Sequence, residues 1–230
     1  TTVELILSEH DCQCVTCMRS GNCSLQKIAN DLDIIELPFH QYLEHQPWDK
    51  TFPLIRDSAK CIKCMRCVQI CEKVQGLGIW DMINTGKRTS VGVSGRKKIT
   101  ESDCAVCGQC ITHCPVGALY ERDDIDPFMN AVHDPEKIVV VQIAPAVRAA
   151  WGEGLDLPRE MATEKRLAAA VRALGVDYVF DTNFSADLTI MEEGNEFLER
   201  MTHADQYSWP MFTSCCPGWV RFVKSQYPDM

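Results

Sequence analysis

Eight of the fourteen cysteines in this 230-residue chain fall into two copies of one spacing, and that repeat limits what the chain can fold around. Cys61, Cys64, Cys67 and Cys71 read C-x2-C-x2-C-x3-C, and Cys104, Cys107, Cys110 and Cys114 read it again, with Pro115 directly after the last cysteine. Such a run wraps a tight loop around a 4Fe-4S cubane: three thiolates reach three irons, and the fourth reaches across to the neighbouring cluster. Two runs therefore call for two clusters with exchanged ligands. Cys61, Cys64, Cys67 and Cys114 serve one, and Cys104, Cys107, Cys110 and Cys71 the other. Zinc also takes C-x2-C pairs, but two identical four-cysteine runs fit zinc ribbons poorly. Glu72 stands where a proline would match Pro115, which loosens that turn without removing a ligand. Between the runs, Gly76, Gly78, Gly86, Gly92 and Gly95 surround short apolar stretches such as residues 78–82, a pattern that predicts hairpin strands.

Composition narrows the setting. The formal charge is −9, and no apolar run is long enough to span a bilayer, so the reading is a soluble chain of two or three domains without membrane insertion. No charged segment followed by an apolar core opens the sequence, so no export signal is read. Cysteines at this density suit either a disulfide framework or metal ligation. The regular spacing and the missing signal favour ligation in a reducing compartment, the cytoplasm. The acid balance argues against nucleic acid as a partner and suits a more basic redox protein.

Upstream, His10, Cys14, Cys17 and Cys23 stand as H-x3-C-x2-C-x5-C. The set resembles the His-plus-three-Cys 4Fe-4S site of FeFe hydrogenases and of the large iron-sulfur subunit of NADH dehydrogenase complexes. A lone histidine is more often a surface or core residue, but three cysteines in register behind it point to ligation. Neutral imidazole in place of an anionic thiolate raises a cluster's potential, as in Rieske centres, which suits an electron reservoir or entry relay. Cys12 falls outside every register and reads as structural; His40 and His45 show no ligand spacing.

After Asp126 the pattern changes to alternating strands and helices. Residues 137–143 form an almost continuous apolar run, predicting a strand buried on both faces of a parallel sheet. A helix is predicted from Pro158 through Leu174 with Gly175 closing it, then a strand over 176–180, a helix over 184–202 and a third strand over 210–212. Strand, helix, strand, helix, strand is a doubly wound pattern, which places its sites at strand ends.

At the end of the third predicted strand stands Thr213-Ser214-Cys215-Cys216-Pro217-Gly218-Trp219. Adjacent cysteines project in different directions and do not easily ligate one metal atom. The bland reading is a buried Cys-Cys pair without metal. The heptapeptide resembles the first active-site motif of the FeFe (iron-only) hydrogenases, of the multi-cluster type that includes NAD(P)-linked and electron-bifurcating complexes. That resemblance implies that Cys216 anchors the 4Fe-4S cube of the six-iron catalytic centre, the H-cluster, and that Cys215 passes protons to its di-iron subcluster. It further implies that Ala144, Pro145 and Ala146 touch the cyanide-bearing edge of the di-iron unit, with Ala146 where the family often has serine; a plain strand-to-helix turn is the alternative. Glu193, Glu196 and Arg200 share one helix face. They are either a solvated face or, as the resemblance implies, the family's proton route, suited to a carboxylate whose pKa burial has lifted. Glu192 and Glu199 read as surface charges.

The fold class is thus a multidomain α/β and α+β chain. A small 4Fe-4S domain with one histidine and three cysteine ligands spans 1–42, a bacterial-ferredoxin-like two-cluster domain 43–125, and the opening βαβαβ part of the hydrogenase catalytic domain 126–230. The expected cofactors are three 4Fe-4S clusters, with the H-cluster in the complete enzyme. Its other three cysteines are expected beyond Met230, so the 230 residues alone are expected to be inactive, and the resemblance leaves room for a 2Fe-2S domain before Thr1. The activity implied is reversible interconversion of H2 with protons and electrons, with ferredoxin or NAD(P)-linked flavin/iron-sulfur subunits as partners. The alternatives are an electron-transfer subunit related to the NADH dehydrogenase large iron-sulfur subunit, against which the Cys215–Trp219 segment counts, and a non-catalytic iron-sulfur assembly relative, which lacks a cysteine at position 215.

Overall fold

The structure is a computed structural model that describes residues 1–39, 43 and 45–230. His40 and the expected boundary after Tyr42 lie outside the described residues. The chain divides into two compact units, Thr1–Arg122 with Ser214–Met230, and Asp123–Thr213.

In the first unit, helices α1 (Thr2–Ser8) and α2 (Ser24–Asp31) precede strand β1 (Leu54–Arg56). Helix α3 (Arg66–Gln69), the hairpin β2 (Trp80–Ile83) and β3 (Ser90–Val93), helix α4 (Gln109–His113) and strand β4 (Leu119–Glu121) follow. The antiparallel β1–β4 pair runs from Leu54↔Glu121 to Arg56↔Leu119, so the two ends of the double cysteine repeat are tied together. The expected hairpin forms, with Trp80 opposite Val93 and Ile83 opposite Ser90. Val116, Val91, Ile99 and Trp80 are almost fully buried, and each such side chain contributes about 1.5–3 kcal/mol through removal from water.

The proline difference between the repeats has a structural consequence. Pro115 disfavours helical geometry at the residue before it, and α4 stops at Cys114, whose ψ is 120°. Glu72 retains its N–H, and α3 continues into a π-helical turn over Ile70–Val74, closed by Gln75 N–H donating to the Ile70 carbonyl at 3.0 Å. That wide turn brings the Leu77 N–H to the Cys71 carbonyl at 2.9 Å and the Ile79 N–H to Cys71 Sγ at 3.3 Å.

The second unit holds α5 (Ile125–Val132), β5 (Val140–Ile143), α6 (Pro145–Ala150), α7 (Glu164–Ala173), β6 (Tyr178–Asp181) and α8 (Thr182–Thr202). Strands β5 and β6 pair in parallel, Val140↔Tyr178 through Ile143↔Asp181, which is the expected βαβ core. Three expectations fail here. Residues 207–216 form no strand: Pro210 has no N–H to give a ladder, and a short strand without a neighbour gains nothing from extension. Neither strand is buried on both faces, and Val140 and Tyr178 are more than half exposed, because each has one neighbour among the described residues. Helix α7 does not begin at Pro158, which sits in a turn accepting from the Met161 N–H at 2.8 Å; Thr163 caps it instead, accepting from the Arg166 N–H. Gly175 ends that helix as expected, at φ 100° with its N–H on the Arg172 carbonyl.

The chain returns to the first unit with helix α9 (Pro217–Gln226). Among the described residues no helix is long and apolar enough to cross a membrane.

Candidate metal centre

Cys61, Cys64 and Cys67 face one enclosed cavity, and the fourth thiol in its wall is Cys114 from the other repeat. Cys104, Cys107 and Cys110 face a second cavity, and there the fourth is Cys71. The structure therefore brings the eight cysteines together in the exchanged sets that the spacing calls for. The remaining walls are mostly apolar, with Ile62, Val91, Val116 and Leu119 beside Arg56 in the first and Leu54, Leu77 and Ile79 beside Gln75, Gln109 and Glu121 in the second. Trp80 belongs to both.

The two loops share one backbone design. Lys63 and Val106, two residues after the first cysteine of each run, have φ 57° and 55°; Met65 and Gly108, one after the second cysteine, have φ 63° and 73°. Alternating left-handed residues turn successive N–H groups inward as an anion-binding nest. The Lys63 N–H donates to Cys61 Sγ at 3.4 Å, and the Val106 N–H bonds Cys104 in the same way. Burial, and after it the neighbouring thiolates, push Cys67 up to about 12 and Cys110 likewise up to about 12. Metal-free, these thiols hold their protons; a cluster that takes four thiolates removes the penalty by spreading their charge over iron. The donor sets and their mostly apolar walls fit 4Fe-4S clusters.

Arg56 reaches into the first cavity as a cation that the sequence reading did not single out. It is 7 % exposed and donates to Gln46 Oε1 at 3.2 Å, Ser90 Oγ at 3.0 Å and the Val91 carbonyl. A buried guanidinium needs a countercharge, and the anionic cluster beside Cys61 and Cys67 would supply it.

His10 is buried, and its Nδ1 lies 2.9 Å from the Lys60 carbonyl. A carbonyl only accepts, so Nδ1 carries the proton and Nε2 keeps the lone pair a metal needs. Burial holds the imidazole below its usual pKa, hence neutral. Cys14, Cys17 and Cys23 are half-buried, and Cys23 caps α2 by accepting the Gln26 N–H at 3.5 Å. This segment is fastened to the double repeat: Arg19 donates to the Cys114 carbonyl, and the Ser24 N–H donates to that of Pro115 at 2.9 Å. Arg19 Nε is buried without a hydrogen-bond partner among the described residues, a donor that suits an adjacent anionic cluster. Cys12 is exposed, close enough to Cys14 and Cys23 to feel their charge. His45, given no role by spacing, lies between Asp57 (3.3 Å) and Asp11 (3.9 Å); Lys60 Nζ, 3.7 Å from Asp57, adds a cation that balances the carboxylates.

Cys216 caps α9, its Sγ accepting the Trp219 N–H at 3.4 Å. Ser214 Oγ accepts the Cys216 N–H at 3.0 Å. The helix start rests on the second loop, where a Cβ on Gly218 would come 2.8 Å from the Ala105 carbonyl. Cys107 and Cys216 consequently line the same depression. Cys215 is exposed.

In the second unit, Ala144 follows β5 as the N-cap residue of α6, and Pro145 and Ala146 open that helix. On α8, Glu193 is half-buried, while exposed Glu196 pairs with Arg200 at 2.7 Å. Arg200 also covers the Tyr207 ring at 4.8 Å, and the Tyr207 hydroxyl donates to Glu199 at 3.2 Å, so Glu199 is part of this polar group.

Residues 1–37 match the NADH-ubiquinone oxidoreductase-G iron-sulfur binding region, residues 60–118 a 4Fe-4S dicluster domain, and residues 137–230 the C-terminal domain of the iron only hydrogenase large subunit. The NADP-reducing hydrogenase subunit HndD of Solidesulfovibrio fructosivorans is 43% identical over 235 residues, which cover 100% of this chain and 40% of that protein. This chain belongs to the iron-only hydrogenase large-subunit family. Iron hydrogenase 1 of Clostridium pasteurianum is 37% identical over 235 residues, covering 99% of this hydrogenase-family chain and 40% of the relative. Protein NAR1 of Arabidopsis thaliana is 34% identical over 136 residues, 56% of this chain and 28% of that protein. The chain spans about 40% of the length of the hydrogenases it matches. It is an iron-sulfur, oxidoreductase-type sequence with mixed α/β structure, in which 4Fe-4S-binding segments precede the hydrogenase domain.

Proposed function

We propose that this chain carries the electron-relay and part of the proton-handling machinery of an enzyme that interconverts H2 with protons and electrons. Bound 4Fe-4S clusters supply one-electron storage and transfer, and a complete H-cluster supplies the chemistry at hydrogen. Cys61, Cys64, Cys67 and Cys114 hold one cluster, Cys71, Cys104, Cys107 and Cys110 a second, and His10, Cys14, Cys17 and Cys23 a third. Cys216 is the thiolate anchor of the catalytic cube. The observation that carries this reading is that Cys107 and Cys216 line one depression, so an anchor at Cys216 would stand beside the second cage. Cys215 holds the exchangeable proton, Glu193 and Glu196 pass it on, and Arg200 fixes the Glu196 carboxylate. Ala144, Pro145 and Ala146 form the loop facing the di-iron unit.

Twelve cysteines and one histidine in ligand positions suit a reducing compartment, the cytoplasm. The name of the Solidesulfovibrio relative supports an NAD(P)-linked partner; a ferredoxin is the other. The test is made in the full-length protein, matured anaerobically. Cys215→Ser should abolish most H2 turnover with every cluster signal retained, because a hydroxyl does not titrate in the working range, whereas Cys216→Ala should lose the catalytic cluster itself. A wild-type protein with all clusters loaded but neither H2 turnover nor H/D exchange would favour the assembly-factor reading that the NAR1 likeness raises. Near-normal turnover in Cys215→Ser would remove that residue from the proton route.

A further inference from the structure

The chain is acidic overall, yet residues 84–100 contain no carboxylate and five cations, Lys87, Arg88, Arg96, Lys97 and Lys98. The β2–β3 hairpin and the turn at Gly95 and Arg96, φ 66° and 57°, bring Arg96, Lys97 and Lys98 beside Asn84. Arg96, Lys97 and Lys98 are exposed and line one groove with Trp48, Asn84 and Asp49. Among the described residues Asp49 is the one carboxylate on that wall, and its Oδ1 already accepts from the Thr51 N–H at 2.9 Å and the Thr51 hydroxyl at 2.6 Å. Arg96 is held by a neutral group, Asn84 Oδ1, at 2.8 Å. The groove is therefore locally cationic on a molecule of charge −9.

The groove is also wired inward. Trp48 is fixed by its indole N–H on the Leu54 carbonyl at 2.8 Å, and its ring stacks on Trp80 at 5.9 Å with the planes 16° apart. Trp80 is 3 % exposed, lines both cysteine cavities, and bonds the Cys110 thiol through its side chain. Two packed aromatic rings thus join the cationic surface to both cages.

We infer that this groove docks a small acidic electron-carrier protein, with Trp48 and Trp80 as the packed contact between carrier and cages. The inference rests on the electron-relay reading above. Charge complementarity selects the partner: most of an acidic chain repels an acidic carrier, so a local cluster of cations sets where it approaches, while a basic carrier is repelled here. The transfer is outer-sphere. The reduced carrier loses one electron, a cluster gains it, and no bond or proton is exchanged.

The test uses the full-length protein with its clusters loaded and oxidised, and follows their bleaching by stopped flow. A reduced, acidic two-cluster bacterial ferredoxin is the carrier, and photoreduced 5-deazariboflavin, which is uncharged, is the control reductant. The variant is Arg96→Gln/Lys97→Gln/Lys98→Gln. Its bimolecular rate with the ferredoxin at low salt should fall about tenfold or more, and the salt dependence should flatten, as for loss of electrostatic steering. Reduction by deazaflavin should be unchanged. An equal rate and equal salt slope for variant and wild type would overturn the inference, as would wild-type clusters that accept electrons from deazaflavin but not from the ferredoxin. Clusters that neither reductant bleaches would refute the electron-relay reading instead.

Discussion

Cys17 Sγ lies so near Gly117 that a Cβ built on Gly117 would come within 2.5 Å of it. The sulfur has little room to retreat, because Arg19 and Ser24 are tied to the carbonyls of Cys114 and Pro115. A methyl group at 117 therefore pushes on a proposed ligand of the His10–Cys23 site from the body of the double cysteine repeat.

Gly117→Ala should accordingly cost about 1–3 kcal/mol, as overpacked sites do, and should act selectively. In the anaerobically reconstituted chain, about four of about twelve irons, one cubane of three, should be lost or weakly held. Iron analysis with EPR decides the matter: full iron content and three unchanged signals would mean that the His10–Cys23 segment moves aside at little cost.

Exchanged ligation predicts which cysteine variants resemble each other. Cys114→Ala should perturb the same EPR signal as Cys61→Ala, although 53 positions separate them (114 − 61), and Cys71→Ala should match Cys104→Ala. If Cys71→Ala instead matched Cys61→Ala, each run would hold its own cluster, and the cavity walls would not report ligation.

The cages are legible in the sequence because ligand spacing is a one-dimensional code: a loop that must reach three irons leaves a fixed number of residues between thiols. The start of helix α7 is misread if Pro158 is preferred to Thr163 followed by Glu164, a capping signal present in the sequence. The third strand fails for another reason: apolar residues at 210–212 allow a strand, but only a neighbour with free ladder groups makes one. Arg56, the Trp48–Trp80 stack and the His45 bridge are not legible at all. Each depends on residues brought together from separate parts of the chain, and no local period records such a contact.

The buried thiols make the metal-free fold sensitive to alkali. Cys67 and Cys110 are pushed up to about 12 in the folded chain, against about 8.5 for an unperturbed thiol. Between those values the folded state binds more protons than the unfolded state, so stability falls as pH rises. Below about pH 8 both states are protonated and the effect vanishes. The urea midpoint of the apoprotein, measured anaerobically, should fall between about pH 8 and about pH 10, while that of the cluster-loaded protein should hold steady, since its ligand thiols have already lost their protons. A flat apoprotein profile would mean that the cages open to water when metal leaves.

The left-handed turns in the two loops carry different loads. Gly108, at φ 73°, occupies its turn without steric cost, whereas Val106, at φ 55°, is a β-branched residue in the same region, where such side chains are strained. The strain serves the site, since the Val106 N–H bonds Cys104. Asparagine tolerates this geometry and keeps the N–H. Val106→Asn should therefore stabilise the cluster-loaded protein by about 0.5–1 kcal/mol, while Gly108→Val should cost about 1–2 kcal/mol by adding a second strained residue to the loop. Anaerobic thermal melts of the loaded protein read both changes. Equal losses from the two substitutions would mean that the packing of the Val106 side chain, rather than its backbone, governs this loop.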